Sequence, residues 1–263
     1  MGTRSTAVAF PDDQRSAGPV HRSIIAVDLE GSTSRTDLDK GVLRRVMYDL
    51  LGHSLEAVAI TGNRLEPMAD RGDGVLVLIR PYDDVPKTVL LDRLIPLLTT
   101  LLAEYNAEVE DPALQVRLRA VVHAGEVHTD GRGFYGAAID IAIRLLDSPS
   151  VKRALKEAAT PLVLVISDEI YSSIVCHGYL DADTYSPLAR VCVANRWHRG
   201  WVRVPSPVVS PADSSPGENC RPLVAPRSSA LSIIGRTGVA RAGPVAAGMG
   251  RRQPPRSVQY KRF

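Results

Sequence analysis

Apolar residues recur along this chain with two different periods. Ile24-Ile25-Ala26-Val27 form an unbroken apolar run that ends at Asp28 and Leu29. A run this short, flanked by polar residues, predicts a buried strand over 23–29. Beyond it, Val42, Leu43, Val46, Met47, Leu50, Leu51, Leu55 and Val58 repeat every three or four positions, predicting a helix over 38–60. Asp37 and Asp39 favour the positive end of its dipole, and Gly62-Asn63 is placed to end it. A short strand at 64–68 and a second at 74–80 are expected to form a hairpin across Ala69–Asp73. Leucines from Leu90 to Leu102 mark a second amphipathic helix over 87–108, whose apolar face reads as core. Alternation at Val116, Leu118, Ala120 and Val122 predicts a long strand over 114–127. A glycine loop at 131–136, helices at 137–147 and 151–158, a buried strand at 162–166 and a short helix at 168–176 follow. Strands near 189–194 and 200–204 close the periodic part.

The resulting order, β-α-β-β-α-β with later additions, predicts an α+β, ferredoxin-like core. Adjacent strand pairs argue against a doubly wound parallel sheet. From Pro205 onward Pro, Ser, Gly, Ala and Arg dominate and the periodicity is lost. The organisation expected is a flexible arm at 1–21, one domain at 22–205 and a disordered, basic tail at 206–263.

Charge sharpens this division. The net charge of +3 combines nine Lys/Arg and two Asp/Glu in 206–263 with 23 and 27 in the remainder. The domain is thus mildly acidic, which argues against a nucleic-acid-binding core and leaves the tail alone as a basic element. No apolar run approaches the roughly 20 residues of a membrane span, and residues 1–22 lack the apolar stretch of a signal peptide. The start Met1-Gly2-Thr3-Arg4-Ser5-Thr6 fits the short N-myristoylation pattern. Arginine outnumbers lysine 27 to 5, a bias of GC-rich bacterial genomes, where that modification is not expected. Cys176, Cys192 and Cys220 show no zinc-ligand or disulfide spacing. A cytoplasmic location, with no membrane partner, is expected.

The chemistry concentrates at two acids. Asp28 closes the first strand, and Asp73, within Asp70-Arg71-Gly72-Asp73-Gly74, directly precedes the run Val75–Ile79. Carboxylates are rarely buried without a partner. Two that converge at strand ends beside glycine suit a divalent cation and a phosphate ester.

Four segments carry a family resemblance: Ala26-Val27-Asp28-Leu29-Glu30-Gly31-Ser32-Thr33, Asp70-Arg71-Gly72-Asp73-Gly74-Val75, Arg119 to Val127 around His123-Ala124-Gly125, and Gly133 to Leu146. In this order the chain from about 23 to 204 resembles the catalytic domain of class III nucleotidyl (adenylate/guanylate) cyclases, as a divergent, actinobacterial-like member. The resemblance implies that Asp28 and Asp73, with the carbonyl of Leu29, hold two Mg²⁺ or Mn²⁺ ions. It implies that Gly31, Ser32 and Thr33 present backbone N–H groups to phosphates. Asp140 and Arg144, on one helix face, fall where the family orients the ribose and stabilises charge at the α-phosphate. Arg196 or Arg199 falls where a late cation contacts the triphosphate, and Arg199 is taken as that residue. A nucleoside triphosphate as substrate and a head-to-tail homodimer, with the aspartates from one chain and Asp140/Arg144 from the other, are implied as well.

The chain departs from the family at Asp140, where asparagine is usual, and at Ala69 and Gly133, where base-reading Lys and Asp stand in adenylate cyclases. The base is therefore open, and a catalytically degenerate module that binds a nucleotide or a protein partner is the alternative. Plain structural roles also remain: a turn or capping acid at Asp28, a hairpin-turn acid at Asp73, and an ion pair from Arg144 to Asp140 or Asp147. Gly131–Gly136 fits GxGxxG, but outside a βαβ unit it reads as a tight turn. His123 reads as a hydrogen-bonded core residue, and His128 and His198 as surface residues.

Overall fold

The computed structural model describes residues 18–206. The tail expected from 206 and the arm expected at 1–21 fall almost wholly outside them. In chain order the elements are β1 (Val20–Leu29), α1 (Asp37–Ala57), β2 (Ala69–Asp70), β3 (Gly74–Ile79), α2 (Lys87–Val89), a π-helical turn (Leu90–Leu94) and α3 (Ile95–Glu108). There follow β4 (Leu118–Thr129), β5 (Phe134–Tyr135), α4 (Ala137–Leu146), α5 (Pro149–Glu157), β6 (Leu162–Ser167), α6 (Asp168–Ser173), β7 (Ser186–Val193) and β8 (Arg196–Arg203).

The architecture is α+β, built on one sheet. Its first four strands lie in the order β2-β3-β1-β4 and are antiparallel throughout, the ferredoxin-like arrangement. β6 adds parallel to β4, and the β8–β7 hairpin extends the sheet beyond β6. Ser23 to Val27 are all buried because helices cover both faces of β1. Ile25, Val27 and Leu29 pack with α1 and α3, while Ile24 and Ala26 pack with α4 and α5. A continuous apolar run rather than alternation is what such a central strand requires.

The boundaries depart from the sequence pattern where backbone hydrogen bonding decides. α1 ends at Ala57, short of the expected residue 60, because Ala59 turns to φ 60° and the Ile60 N–H donates back to the Leu55 carbonyl at 2.9 Å. The strand expected at 64–68 is a single bridge, Leu65 to Ile79, before β2. Pro67 in that stretch has no N–H to give a ladder. The helix expected over 87–108 is interrupted by the π-helical turn, directly ahead of Pro96, which likewise lacks a donor. β4 begins at Leu118 rather than 114. The Asn106 side chain pairs with both backbone groups of Val116, at 2.7 and 2.8 Å, in place of a neighbouring strand. The arm was expected to reach residue 21, but β1 already starts at Val20.

Candidate functional site

Three strands deliver the site. Asp28, next to last in β1, lies opposite Gly74 of β3 on one side and Arg119 of β4 on the other. One residue on, the Leu29 N–H donates to the Asp73 carbonyl at 3.0 Å. Asp28 and Asp73 therefore flank the same point, where β1 and β3 run out. Gly74 is required there: a Cβ on it would lie 2.5 Å from the Val27 carbonyl oxygen and 3.2 Å from Asp28 Oδ1.

The two carboxylates are held differently. Asp28 accepts from the Arg119 guanidinium, and the side chains of the pair are only 15% and 11% exposed. Arg119 also lies 4.0 Å from Asp147, and its Nε has no partner among the described residues. Burial pushes the Arg119 guanidinium below its ordinary pKa, with Asp147 opposing that shift. Asp73 accepts a hydrogen bond from the Ser32 hydroxyl.

Ser32 belongs to a tight turn after β1. Gly31 takes φ 69°, a conformation open to glycine, and the N–H groups of Ser34 and Arg35 close the turn on the carbonyls of Gly31 and Ser32, both at 3.2 Å. The first N–H groups of such a helical turn have no partner inside it. Between this turn, α1 and the Gly72-Asp73 turn lies a cavity of about 230 Å³, whose walls include Leu29, Ser32, Thr33, Gly72 and Asp73. Asp28 does not line it; its carboxylate is turned to Arg119.

The side-chain groups at this point offer oxygen only: the carboxylates of Asp28 and Asp73 and the Ser32 hydroxyl. Among the described residues no group of three or more His, Cys, Asp or Glu side chains forms a metal cage. Two carboxylates fit a hard cation of the Mg²⁺ kind, which keeps waters and takes its remaining ligands from substrate phosphates. They do not fit a soft metal.

α4 carries the other expected pair. Its inner face buries Ala138, Ile139, Ile141, Ala142, Leu145 and Leu146, which leaves Asp140 and Arg144 exposed, one helical turn apart. Neither forms an ion pair or side-chain hydrogen bond among the described residues. Asp147, the acid that could have neutralised Arg144, instead faces Lys152 at 3.4 Å and Arg119. No hydrogen bond or ion pair links Asp140 or Arg144 to Asp28 or Asp73 within the chain. The loop before α4 is a tight turn, as its glycines predict: Asp130 Oδ1 accepts from the N–H groups of Arg132 at 2.9 Å and Gly133 at 3.1 Å.

Arg199 lies exposed on β8, directly opposite Arg190 of β7, with its guanidinium 5.9 Å from the Trp201 ring. It makes no contact with the two aspartates. His123 is buried against Ser167, Nδ1 to Oγ 2.7 Å, the core role its strand position suggests. The residue that sequence reasoning passed over is Arg119. Its signal was a full charge on a strand whose other residues from Leu118 to Val122 are apolar, in a segment that must pair with the strand bearing Asp28.

No family model matches the sequence, and no curated protein sequence does. Among solved structures, the chain is similar to the adenylate/guanylate cyclase/hydrolase of Silicibacter pomeroyi, at 16% identity over 72% of this chain and 98% of that one, with a TM-score of 0.49. It is similar to the adenylyl cyclase CyaB of P. aeruginosa at 13% identity, over 74% and 98% of the two chains, with a TM-score of 0.46. It is also similar to the guanylate cyclase domain of RhGC from Catenaria anguillulae in complex with GTP, at 16% identity over 71% and 98%, with a TM-score of 0.46. Likenesses this distant carry no residue's role across.

Proposed function

We propose that this protein is a nucleotidyl cyclase that converts a nucleoside triphosphate to a 3′,5′-cyclic monophosphate and pyrophosphate. The observation that carries this reading is the meeting of Asp28 and Asp73 at the ends of two paired strands, beside the Gly31–Thr33 turn. Two divalent cations, Mg²⁺ or Mn²⁺, held by Asp28, Asp73 and the Leu29 carbonyl would lower the pKa of the ribose 3′-hydroxyl and offset charge on the departing pyrophosphate. The 3′-oxygen then bonds to the α-phosphorus as the bond to the bridging oxygen of the β-phosphate breaks, and the hydroxyl proton passes to water.

The chain's own groups do the rest. The Gly31–Thr33 N–H groups receive phosphate oxygens. The Ser32 hydroxyl fixes the Asp73 carboxylate, and Arg119 fixes that of Asp28. Arg144, exposed and unpaired, supplies positive charge to the α-phosphate from a second copy of the chain, and Asp140 beside it accepts from a ribose hydroxyl. Arg199 contacts the triphosphate. The proposal places the reaction in the cytoplasm, where exposed Cys176 and Cys192 stay reduced. No helix among the described residues is long and apolar enough to cross a membrane. Ala69 and Gly133 leave the base open to all four candidates.

The test is a product screen. Purified protein with Mn²⁺ and ATP, GTP, CTP or UTP in turn should yield a cyclic monophosphate from at least one, and no cyclic product from any at high enzyme concentration rejects the reading. Asp28→Ala and Asp73→Ala should each abolish that turnover. One observation favours a second reading, a nucleotide-binding module without catalysis. The Arg119 ion pair already neutralises Asp28, which weakens its hold on a cation. Metal-dependent triphosphate binding by calorimetry, with no cyclic product, would establish that module instead.

A further inference from the structure

Arg119 stands between two carboxylates. Its Nη2 donates to Asp28 Oδ2 and lies 4.0 Å from Asp147 Oδ1. The two acids differ in setting. The Asp28 side chain is 15% exposed, whereas that of Asp147, the C-cap residue of α4, is 51% exposed and already faces Lys152 at 3.4 Å. A shift of about 1 Å would bring the Arg119 nitrogen within hydrogen-bonding distance of Asp147.

Asp28 is also one of the two acids proposed to hold a divalent cation. A guanidinium and a dication on one carboxylate repel each other, and in a mostly buried setting water and salt screen that repulsion little. Arg119 in its present position therefore works against a cation at Asp28. A guanidinium that simply left Asp28 would lose its acceptor, which is costly where water is scarce. Asp147 offers a second acceptor, more exposed than the first.

We infer that Arg119 is a two-position residue that sets cation affinity: it holds Asp28 until a divalent cation binds there, and then moves its Nη2 to Asp147. Asp147 lowers the cost of that move. Because Asp147 caps the helix that bears Asp140 and Arg144, the same move couples the cation site to the end of α4. This inference rests on the reading of Asp28 as a cation ligand, not on cyclisation.

The experiment is a Mn²⁺ titration of the full chain, read by the electron paramagnetic resonance signal of free Mn²⁺. It compares wild type, Arg119→Gln, Asp147→Asn and the double variant, each checked for folding by circular dichroism, with Asp28→Ala marking the site. Arg119→Gln should bind Mn²⁺ about tenfold more tightly than wild type, and Asp147→Asn about threefold more weakly or worse. In the double variant the loss caused at 147 should disappear, because no guanidinium is left to move. Were Arg119 only an anchor that orients Asp28, Arg119→Gln would weaken binding, and that result overturns the inference. Were Asp147 only a nearby charge, its removal would weaken binding equally with either residue at 119, which overturns it too. So does the absence of any Mn²⁺ binding that depends on Asp28. Asp147→Asn leaves the buried pair intact, so unchanged binding by that variant rejects the inference even where Arg119→Gln does not fold. The cyclase reading fails separately. The expected order of affinities with no cyclic product sinks cyclisation and keeps the two positions of Arg119. Cyclic product, with Asp147→Asn binding Mn²⁺ as wild type does, has the opposite meaning.

Discussion

At the residue scale, burial acts on two basic side chains, Arg119 and His123, and both give measurable consequences. Arg119 and Asp28 form a mostly buried ion pair between β4 and β1. Removing one partner of such a pair strands the other charge, which costs about 3–5 kcal/mol in other proteins. Arg119→Ala is therefore expected to lower the unfolding free energy by an amount in that range, seen as a lower urea midpoint at unchanged m-value. His123 is the second case. Desolvation, partly opposed by Glu169 at 3.8 Å, pushes its pKa from the ordinary 6.5 down to about 4, and His198 and His21 push the same way. The unfolded chain thus binds a proton between pH 6.5 and 4 that the folded chain refuses. His123's contribution is complete above pH 6.5 and is lost progressively as pH falls to 4. Urea midpoints across that window should fall more steeply for wild type than for His123→Gln, and parallel curves would refute the assignment. The sequence disclosed His123 as core but not the depth of its burial. It disclosed Asp28 but not Arg119, because the two are 91 positions apart and meet only through strand register.

Element boundaries follow from backbone donors more than from apolar spacing. The periodicity located the two main helices and β1, β3 and β4, since burying an apolar stripe is a local demand on the sequence, but it put the strand ahead of β3 at 64–68 and read β2 as turn. It misplaced ends where one residue changed the hydrogen bonding: Pro67 ahead of β2, Pro96 after the π-helical turn, Asn106 ahead of β4. The end of α1 offers a test. Ala59 sits at φ 60° in the position that glycine usually fills in this type of helix ending. A left-handed L-residue costs roughly 1–2 kcal/mol, and glycine's greater unfolded-state entropy returns part of the gain. Ala59→Gly should stabilise the protein by about 0.5–1 kcal/mol, seen as a raised Tm. A lower Tm would show that Ala59 does not adopt the left-handed conformation.

For the whole molecule, the telling fact is that no hydrogen bond or ion pair joins the two pairs of proposed catalytic groups within one chain. Asp28 and Asp73 lie at the strand ends of β1 and β3, while Asp140 and Arg144 stand exposed on α4, without a side-chain partner among the described residues. If a second copy completes the site, two inactive variants should rescue each other. Asp73→Ala mixed in equal amount with Arg144→Ala should recover about a quarter of wild-type turnover, since half the dimers would be mixed and each would hold one intact site. Either variant alone should stay inactive, and turnover per chain should fall on dilution. A mixture no more active than its components would place all the groups in one chain.

The sequence by itself determined the strand and helix order, the α+β class and the two strand-end acids. Each is written locally, in a run of apolar residues or in an acid beside glycine. Only the tertiary structure decided what those acids face. Strand pairing set Asp28 against Arg119 and brought Ser32 to Asp73. The ion pair from Arg44 of α1 to Asp70 of β2 joined two elements through side chains 26 positions apart along the chain. Partners distant along the chain are chosen by register and packing, which no local pattern records.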